Sequence, residues 1–388
     1  MLRRFCTTLF LAVQPLLAHS APIDVPVTYV RQKQAPLATL SNLDPRPDDL
    51  GTAGAQLALL DNLTTGKFLG HNYKLNLVEV PEDGDALAAV TTALMTSQLV
   101  VLDMPAATAR AVADLPAAQT ALLFNASAPD ADLRNADCRA NLLHTIPSDA
   151  MRADAVMQFA RSKRWEDLAM VMGPRPADQR FAAALENSAA KFGLKIDTKL
   201  TWDIDADMRR NAAQEVPLLT QSLGDYDLLL VADEADDFAR YIPFNTWHPR
   251  PVAGSAGLMP KTWSPVVEQW GAAQLQGRFL DEHARDMQSR DYAAWAAVRS
   301  IGEAVTRTGS ADAQTLRDFI LSDAFELAGF KGRPLSYRSW NGQLRQPIPL
   351  VTPRAVVTQA PLPGYLHQHS EMDTLGFDQP ETTCEAFQ

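Results

Sequence analysis

The aspartates between residues 203 and 207 have the spacing of calcium ligands. Asp203, Asp205 and Asp207 alternate as the first ligands of an EF-hand loop do. That loop requires glycine at its sixth position and glutamate at its twelfth, and these positions hold Met208 and Gln214 here. We therefore favour a solvated acidic turn over a calcium site.

A second set of potential metal ligands lies near the C-terminus. Four imidazole and carboxylate side chains occur within a stretch of seven residues: His367, His369, Glu371 and Asp373. Such a set has the chemistry of a zinc or copper site. A polar C-terminal segment accounts for the same residues, so we expect neither a metal nor a cofactor.

The motifs of common enzymes are missing from the sequence. Gly66-Lys67 is followed by Phe68 rather than by serine or threonine, which excludes a P-loop, and no G-x-G-x-x-G follows a strand. The run from Gly254 to Gly257 contains Ser255 but lacks the spacing of a nucleophile elbow. Since no nucleophile and base occur at a recognisable spacing, the sequence predicts a binding protein rather than an enzyme.

The first twenty residues have the pattern of an export signal. Arg3 and Arg4 precede a short apolar run, and Ala18-His19-Ser20 places small residues where signal peptidase cleaves. We expect cleavage before Ala21 and a periplasmic protein; a buried N-terminal helix is the alternative. No other stretch approaches 18 unbroken apolar residues, so we expect no membrane-embedded segment.

The charge and the cysteines of the mature chain limit its partners and its compartment. Removal of residues 1–20 leaves 33 basic against 46 acidic residues, a net charge of −13. Nucleic acid is excluded as a partner, because phosphate neutralisation needs a basic face. Cys138 and Cys384 remain, and an even pair in an oxidising compartment indicates a disulfide; two buried thiols are the alternative.

Strand-like and helix-like runs alternate along most of the chain. Residues 99–103, 168–172 and 227–233 are almost wholly apolar, which is typical of parallel strands buried on both faces. Helical runs between such strands indicate right-handed βαβ units. The predicted fold class is therefore α/β, with two lobes because the mature chain is long for one core. Asn341-Gly342 predicts a hairpin near the end.

The stretch LLHTIPSDAMRADAVMQFARSKRW, residues 142–165, predicts a strand that turns directly into a helix. Pro147 ends the strand because proline cannot donate to a ladder. Ser148 and Asp149 can both cap the helix that follows. This joint has no chemistry of its own, so its importance depends on what it connects.

Several motifs, in their order along the chain, resemble one family. They are Gly51-x-x-Gly54-Ala55-Gln56-Leu57-Ala58, Asp61-Asn62, Gly66-Lys67-Phe68-Leu69-Gly70, the joint at 142–160 and VAGSAGL at 252–258. Together they are similar to the periplasmic substrate-binding proteins of the branched-chain amino acid type, which have the type I fold. The resemblance implies two lobes, each a parallel sheet flanked by helices, joined by three crossings.

The resemblance also implies boundaries for the lobes. The joint at 142–160 would be the first crossing, 252–258 the second, and the region around Leu335 to Leu350 the third. The predicted parts are a signal peptide at 1–20, an N-terminal lobe at 21–145 and 253–328, a C-terminal lobe at 146–252 and 329–352, and an extended surface tail at 353–388.

One loop departs from the amino-acid binders of this family. Their loop after the third strand is rich in glycine, serine and threonine, which hold a carboxylate. The matching segment here begins Asp103, Met104, Pro105, Ala106. Because an anionic side chain and a proline replace the donors, we expect a neutral or cationic ligand rather than a free amino acid.

The other candidate ligand-binding residues follow from position, since ligands of parallel sheets bind outside the carboxyl ends of the strands. They are Asn125, Ala126, Ser127, Gly173, Asp233, Glu234, Trp247 as an apolar wall, and Ser255 on the second crossing.

A narrower resemblance concerns the subgroup encoded beside quinoprotein alcohol dehydrogenase systems that use pyrroloquinoline quinone. NTWHPRPVAGSAGL, QLQGRF, DYAAWAAVRSIGEAVTRT and SWNGQLRQPI carry it. It implies a solute-binding component of an ABC importer, with a small-molecule ligand, a permease partner and a link to alcohol oxidation. A sensor or accessory subunit that has lost transport is the first alternative, and a periplasmic enzyme on this scaffold is the second.

Overall fold

The structure is a computed structural model that describes residues 22–35, 46–202 and 208–388. The predicted signal peptide and the aspartates at 203–207 lie outside these ranges. Among the helices of the described residues, none is long and apolar enough to cross a membrane.

The first half of the chain forms a five-stranded parallel sheet with the spatial order β2-β1-β3-β4-β5. Its strands are β1 (Ile23–Gln32), β2 (His71–Val80), β3 (Leu99–Asp103), β4 (Leu122–Asn125) and β5 (Leu142–His144). The connecting helices are α1 (Thr52–Leu69), α2 (Ala86–Leu94) and α3 (Ala106–Ala113). All residues of β3 are buried, as its apolar run predicted, because helices cover both faces of the sheet.

The first crossing leaves the sheet after β5 and begins α4 (Asp149–Lys163). Of the two predicted capping residues, Ser148 is the N-cap: its hydroxyl accepts a hydrogen bond from the Met151 N–H at 3.2 Å. The Asp149 N–H donates instead to the carbonyl of Pro129 at 2.8 Å, which fixes the helix start against the first lobe.

The second sheet is also parallel, with the order β7-β6-β8-β9. Its elements are β6 (Asp167–Met172), α5 (Pro176–Lys191), β7 (Lys195–Thr201), α6 (Met208–Gln221), β8 (Leu228–Ala232) and β9 (Val252–Gly254). The second sheet has its own core, in which α4, α5 and the inner faces of β6 and β8 pack together. The predicted α/β fold class with two parallel sheets is confirmed.

The second crossing returns the chain to the first lobe through β10 (Met259–Pro260). The helices α7 (Ala272–His283), α8 (Ser289–Thr308) and α9 (Ala313–Ile320) then cover the first sheet. Helix α8 packs closely on α1, because a Cβ at Gly54 would lie 1.8 Å from the carbonyl oxygen of Asp291. Trp270 and Gly271 have positive φ angles, which a right-handed helix does not contain, so α7 begins at Ala272.

The remaining strands form two small antiparallel sheets. They are β11 (Leu327–Ala328), β12 (Pro334–Tyr337), β13 (Leu344–Arg345), β14 (Ile348–Thr352) and β15 (Ala355–Ala360). β12 and β13 form the hairpin that Asn341-Gly342 predicted. β14 lies between β10 and β15, so the second and third crossings run side by side.

Part of the predicted lobe assignment differs from the structure. The range 329–352 was assigned to the C-terminal lobe, but Leu335, Tyr337 and Leu344 belong to the core of the first lobe. The hairpin of β12 and β13 packs there because Tyr337 bonds Ser300 on α8 at 2.9 Å. β14 and β15 join the second core through Ile348, Leu350 and Ala360.

The prediction of an extended surface tail from Pro353 is wrong for most of its length. Residues 355–360 form β15, and Leu375 and Asp373 are fully buried. The segment crosses the second lobe, where the Gly376 N–H donates to Asp154 at 2.7 Å, and ends at the first lobe. There the sulfur atoms of Cys138 and Cys384 lie 2.07 Å apart, at bonding distance.

This disulfide joins residues separated by 246 positions and closes nearly the whole second lobe into a covalent loop. We expect the Cys138→Ser/Cys384→Ser variant to lose about 2–5 kcal/mol of unfolding free energy, because the unfolded chain gains conformational freedom. Urea unfolding of both proteins measures this difference. Reductant should destabilise the natural protein and leave the variant unchanged; equal stability of the two proteins would contradict the expectation.

Candidate ligand cleft

The carboxyl ends of the two sheets carry eleven of the twelve predicted ligand-binding residues. Asp103 to Ala106 follow β3, and Asn125 to Ser127 follow β4. In the second lobe Gly173 follows β6, Asp233 and Glu234 follow β8, and Ser255 follows β9. The topology therefore places two sets of strand ends where a ligand of an α/β sheet binds.

Asp103 is a buried carboxylate with cationic neighbours. It lies directly opposite Arg31 in the register of β1 and β3, and its Oδ2 is 3.8 Å from the Arg31 Nε. The Arg290 Nη1, at the start of α8, is 3.3 Å from its Oδ1. The Tyr29 hydroxyl donates to Oδ2 at 2.9 Å. Burial and the negative charge of Asp103 raise the pKa of Tyr29, so this donor stays protonated.

These contacts weaken the negative field of Asp103 on which the expectation of a neutral or cationic ligand was based; that expectation stays a prediction. Two guanidinium groups flank its single charge, so the field at this edge is not that of an isolated carboxylate. Arg46 adds a third guanidinium: burial and then the charge of Arg290 lower its pKa, whereas Asp103 raises it. Arg46 is solvent-exposed, so the guanidinium groups in contact with Asp103 are those of Arg31 and Arg290.

The loop after β4 is held by its own side chains. Asn125 is fully buried; its Nδ2 donates to the Ala128 carbonyl at 2.8 Å, and its Oδ1 accepts from the N–H groups of Ser127 and Ala128. The Ser127 hydroxyl accepts from the Met104 N–H at 2.9 Å and donates to the Met104 carbonyl at 3.1 Å. Asn125 and Ala126 therefore shape the cleft wall, while Ser127 and the exposed Pro105 reach its surface.

Glu234 dominates the wall of the second lobe. The Arg152 guanidinium donates to both of its oxygens, at 2.7 and 2.9 Å, and the Ser255 hydroxyl donates at 2.9 Å. Burial by itself raises the pKa of Glu234, but the charge and hydrogen bonds of Arg152 lower it to about 2. Arg152 also bonds Asp149 and lies 4.3 Å from the centre of the Phe181 ring.

Asp233 and Gly173 have structural partners. Asp233 accepts hydrogen bonds from the backbone N–H groups of Asp237, Phe238 and Ala239, which closes the turn after β8. Burial raises the pKa of Asp233 despite these donors. Gly173 lies against Asp178, whose Oδ2 would be 2.2 Å from an added Cβ. Neither residue presents a free polar group to the cleft.

Lys261 follows the second crossing and is partly buried near Glu234. Burial, and then the positive charge of Arg152, lower its pKa; the charges of Glu234 and Asp236 oppose this. Among the described residues no acceptor bonds its ammonium group, although its backbone N–H donates to the Pro349 carbonyl at 3.1 Å.

Trp247 does not line the cleft, which corrects the prediction. Its backbone N–H donates to the Thr220 hydroxyl at the end of α6, and the neighbouring His248 contacts Tyr226, which precedes β8. The chain has by then returned to the amino end of the second sheet to begin β9. Trp247 is half exposed there, on the side of the sheet opposite the strand ends.

The histidine and carboxylate group near residue 370 does not converge. His367 accepts backbone N–H groups of His369 and Ser370 through Nδ1, and its Nε2 lies 2.9 Å from Asp378. Glu371 pairs with Arg333, while Asp373 is buried against Arg338 and Arg345. Within the described ranges no group of three or more metal-binding side chains could hold an ion.

The hinge is built from a buried polar network around Arg134. Its guanidinium donates to the carbonyls of Ala128, Asp130 and Ile146 and to the Gln343 amide oxygen, all at 2.8–2.9 Å. Burial lowers its pKa to about 9, which leaves it charged at neutral pH.

Two amides continue this network between the first and third crossings. Gln343 donates to the carbonyl of His144 at 3.2 Å, and Gln346 donates to the carbonyl of Thr145 at 2.7 Å. Lys331 donates to the Gln346 oxygen at 2.7 Å. Directional hydrogen bonds therefore connect two of the crossings on which any lobe movement would turn.

Solved structures show the same fold over nearly the whole chain. A branched chain amino acid ABC transporter periplasmic ligand-binding protein from Burkholderia xenovorans LB400 has 15% identity and a TM-score of 0.71, covering 94% of this chain and 100% of its own. A periplasmic binding protein from Burkholderia mallei has 14% identity and a TM-score of 0.65, covering 94% and 99%.

A solute-binding protein of an ABC transporter from R. palustris, solved in complex with benzoate, has 11% identity and a TM-score of 0.64, covering 93% and 99%. No family model matches the chain, and no curated protein matches it. At these identities the comparisons establish the fold, and the chain has that of the type I periplasmic binding proteins.

Sequence reasoning missed the cations of the cleft. Arg31, Arg290 and Arg152 are far apart in the chain; the first two belong to no motif, and Arg152 lies in the joint at 142–160 without having been singled out. One signal was present: Arg31 ends the buried strand β1, as Asp103 ends β3, and adjacent parallel strands bring such ends together. No feature of the sequence indicated that Arg290 would lie near Asp103, because the start of a helix can pack against any neighbouring element.

The pair of Glu234 and Arg152 gives a pH-dependent contribution to stability. The pKa of Glu234 falls from 4.5 to about 2 on folding, so its contribution, about 3 kcal/mol, is complete above pH ~4.5 and is lost as pH falls through about 2. We expect the loss of unfolding free energy in Glu234→Gln to shrink between pH 6 and pH 3. Urea titrations measure it, with the exposed Glu166→Gln as control. A difference independent of pH would contradict this assignment.

Proposed function

We propose that this protein is the periplasmic solute-binding component of an ABC transporter, which binds a small molecule between its two lobes. The observation that carries the proposal is that each lobe has a carboxylate paired with arginine at the carboxyl end of a parallel strand. Asp103 ends a buried parallel strand of the first lobe and pairs with Arg290. Glu234 follows a buried parallel strand of the second lobe and pairs with Arg152. The shared fold with proteins of that class supports it.

The hinge network supports a closing movement. Hydrogen bonds of Arg134, Gln343 and Gln346 to crossing carbonyls can exchange partners during a small rotation, whereas an interdigitated apolar core would resist it. A ligand that contacts both walls binds the closed form better than the open one and so shifts the population toward closure. A membrane permease would then recognise the closed form.

The lobes in this proposal follow the cores seen in the structure. The N-terminal lobe contains β1 to β5, α7 to α9 and the hairpin of β12 and β13. The C-terminal lobe contains α4 to β9 and β14 onward. The predicted export signal at 1–20, which precedes the first lobe, would deliver the protein to the periplasm.

The link to quinoprotein alcohol oxidation is part of the same proposal and rests on sequence resemblance. Its motif segments are spread across loop 245–258, α7, α8 and the hairpin. The competing function is an accessory or sensor subunit of such a system, without transport. The polar groups at the strand ends, such as Asp103 and Glu234, favour solute binding, because an accessory subunit that has lost its ligand is expected to have a cleft without polar groups.

Ligand binding with closure is the direct test. We expect the mature protein to show a saturable rise in its unfolding midpoint with one class from a panel of short alcohols, aldehydes, their acids, branched-chain amino acids, benzoate, the quinone and calcium or lanthanide ions. Small-angle scattering with that ligand should show a smaller radius of gyration. Absence of both effects across the panel would favour the accessory subunit.

A further inference from the structure

The segment that follows β15, residues 361–388, is called the C-terminal strap here, and it is first anchored to the second lobe. It packs against the core that contains α4 and α5. The Gln158 side chain on α4 accepts from the Leu362 N–H at 3.0 Å. The Lys191 ammonium group on α5 donates to the Glu381 carboxylate at 2.9 Å. Both helices of the second lobe therefore hold the strap.

Buried charges attach the same strap to the first lobe. Asp373 is fully buried and accepts hydrogen bonds from Arg338 at 2.8 Å and from Arg345 at 2.8 and 3.0 Å. Both arginines belong to the hairpin of β12 and β13, whose Tyr337 and Leu344 lie in the core of the first lobe. Separating a buried carboxylate from its guanidinium partners costs much free energy, so this contact holds the strap to the hairpin.

The contacts with the two lobes meet at neighbouring residues of the strap. The Leu375 carbonyl accepts from Arg338 of the first lobe at 2.6 Å. The next residue, Gly376, is bonded to the second lobe: its N–H donates to Asp154 and its carbonyl accepts from Lys191, both at 2.7 Å. A rotation of one lobe against the other therefore has to break hydrogen bonds at this turn or move the strap.

The backbone of the strap lies very close to α4 at this turn. Gly376 has a φ angle of 79°, and a Cβ added to it would lie 2.7 Å from the Met151 Cγ. The same Cβ would lie 3.5 Å from the Arg338 Nη1. The strap thus passes between a helix of the second lobe and the hairpin of the first without room for a side chain.

The end of the strap is bound covalently to the first lobe. The Thr383 N–H donates to the Asn135 side chain, between β4 and β5, at 2.6 Å. The next residue, Cys384, is bonded to Cys138. The Phe387 ring packs against the core of the first lobe. The strap is therefore held by hydrogen bonds on one lobe and by a disulfide on the other.

We propose that the C-terminal strap is a further connection between the lobes, beside the three crossings, and that it limits the range of lobe positions open to the protein. Hinge rotation at the crossings needs only a few backbone angles to change, whereas the strap adds a covalent bond and buried ion pairs. The inference rests on the proposed function in one respect: a narrower range of open forms reduces the conformational entropy that is lost when the lobes close on a ligand.

Spin labels on opposite lobes measure this range without any ligand. Ala88→Cys on α2 and Ala183→Cys on α5 provide one exposed label site in each lobe. In the mature protein Cys138 and Cys384 are buried and bonded to each other, so they do not react with the label. Pulsed dipolar spectroscopy then gives the distribution of distances between the labels. We expect Cys138→Ser/Cys384→Ser to widen this distribution relative to the natural strap.

A second variant weakens the strap and leaves the disulfide intact. Lys191→Met removes the hydrogen bonds to Gly376 and Glu381, so it should also widen the distribution. The matched control is Lys199→Met, which removes an exposed lysine of β7 that pairs with Glu186. This control should leave the width unchanged. If the disulfide variant did not fold, the comparison of these two lysine variants would decide the question.

A control for stability separates lobe movement from general loosening. Leu57 is buried on α1 in the core of the first lobe, and Leu57→Ala should destabilise the protein about as much as loss of the disulfide does. Because the strap keeps its contacts, the distance distribution should not widen. Widening in Leu57→Ala equal to that in the strap variants would assign the effect to lost stability and overturn the proposal.

The remaining outcomes distinguish this proposal from the proposed function. Equal widths in the natural protein and in both strap variants would show that the strap does not limit lobe movement. Solute binding would then still stand, because the panel of ligands and the scattering experiment test it separately. Conversely, failure of every ligand in that panel would leave a widened distribution in the strap variants as evidence for the strap.

Discussion

The buried guanidinium of Arg134 is the constraint on which the rest of this structure depends. A charge without access to water must have hydrogen-bond partners, and its four acceptors come from the loop after β4, the first crossing and the hairpin of the first lobe. These segments are therefore fixed relative to one another. Asp103 and Glu234 lie at the carboxyl ends of strands in two lobes whose joint is polar and directional.

The same principle of charge pairing governs both walls of the cleft, with different results. In the second lobe Arg152 pairs with Glu234 and Asp149, and Arg180 also pairs with Asp149, so two cations meet two anions. In the first lobe Arg31 and Arg290 both face Asp103, and Arg46 adds a further charge. The two contacting guanidinium groups of the first lobe therefore share one carboxylate.

The local sequence pattern predicted the helices and strands well, but it predicted poorly which residues they contact in the folded protein. The apolar run of β3 and the capped start of α4 are set by neighbours in the chain, and both occur as expected. Trp247 was misplaced because a loop that returns to the amino end of a sheet looks the same in sequence as one that stays near the cleft. The buried C-terminal segment was missed because its anchors, such as Asp154, lie more than 200 residues away.

The sequence by itself determined the α/β class, the order of the strands along the chain and the eleven positions that lie at strand ends, since these follow from apolar runs and their periodicity. Only the tertiary structure decided the electrostatic character of the cleft. Asp103 alone predicts a site that rejects anions, but its partners Arg31 and Arg290 come from β1 and α8. Coulomb interactions depend on distance in space rather than in sequence, so only folding sets which charges surround Asp103.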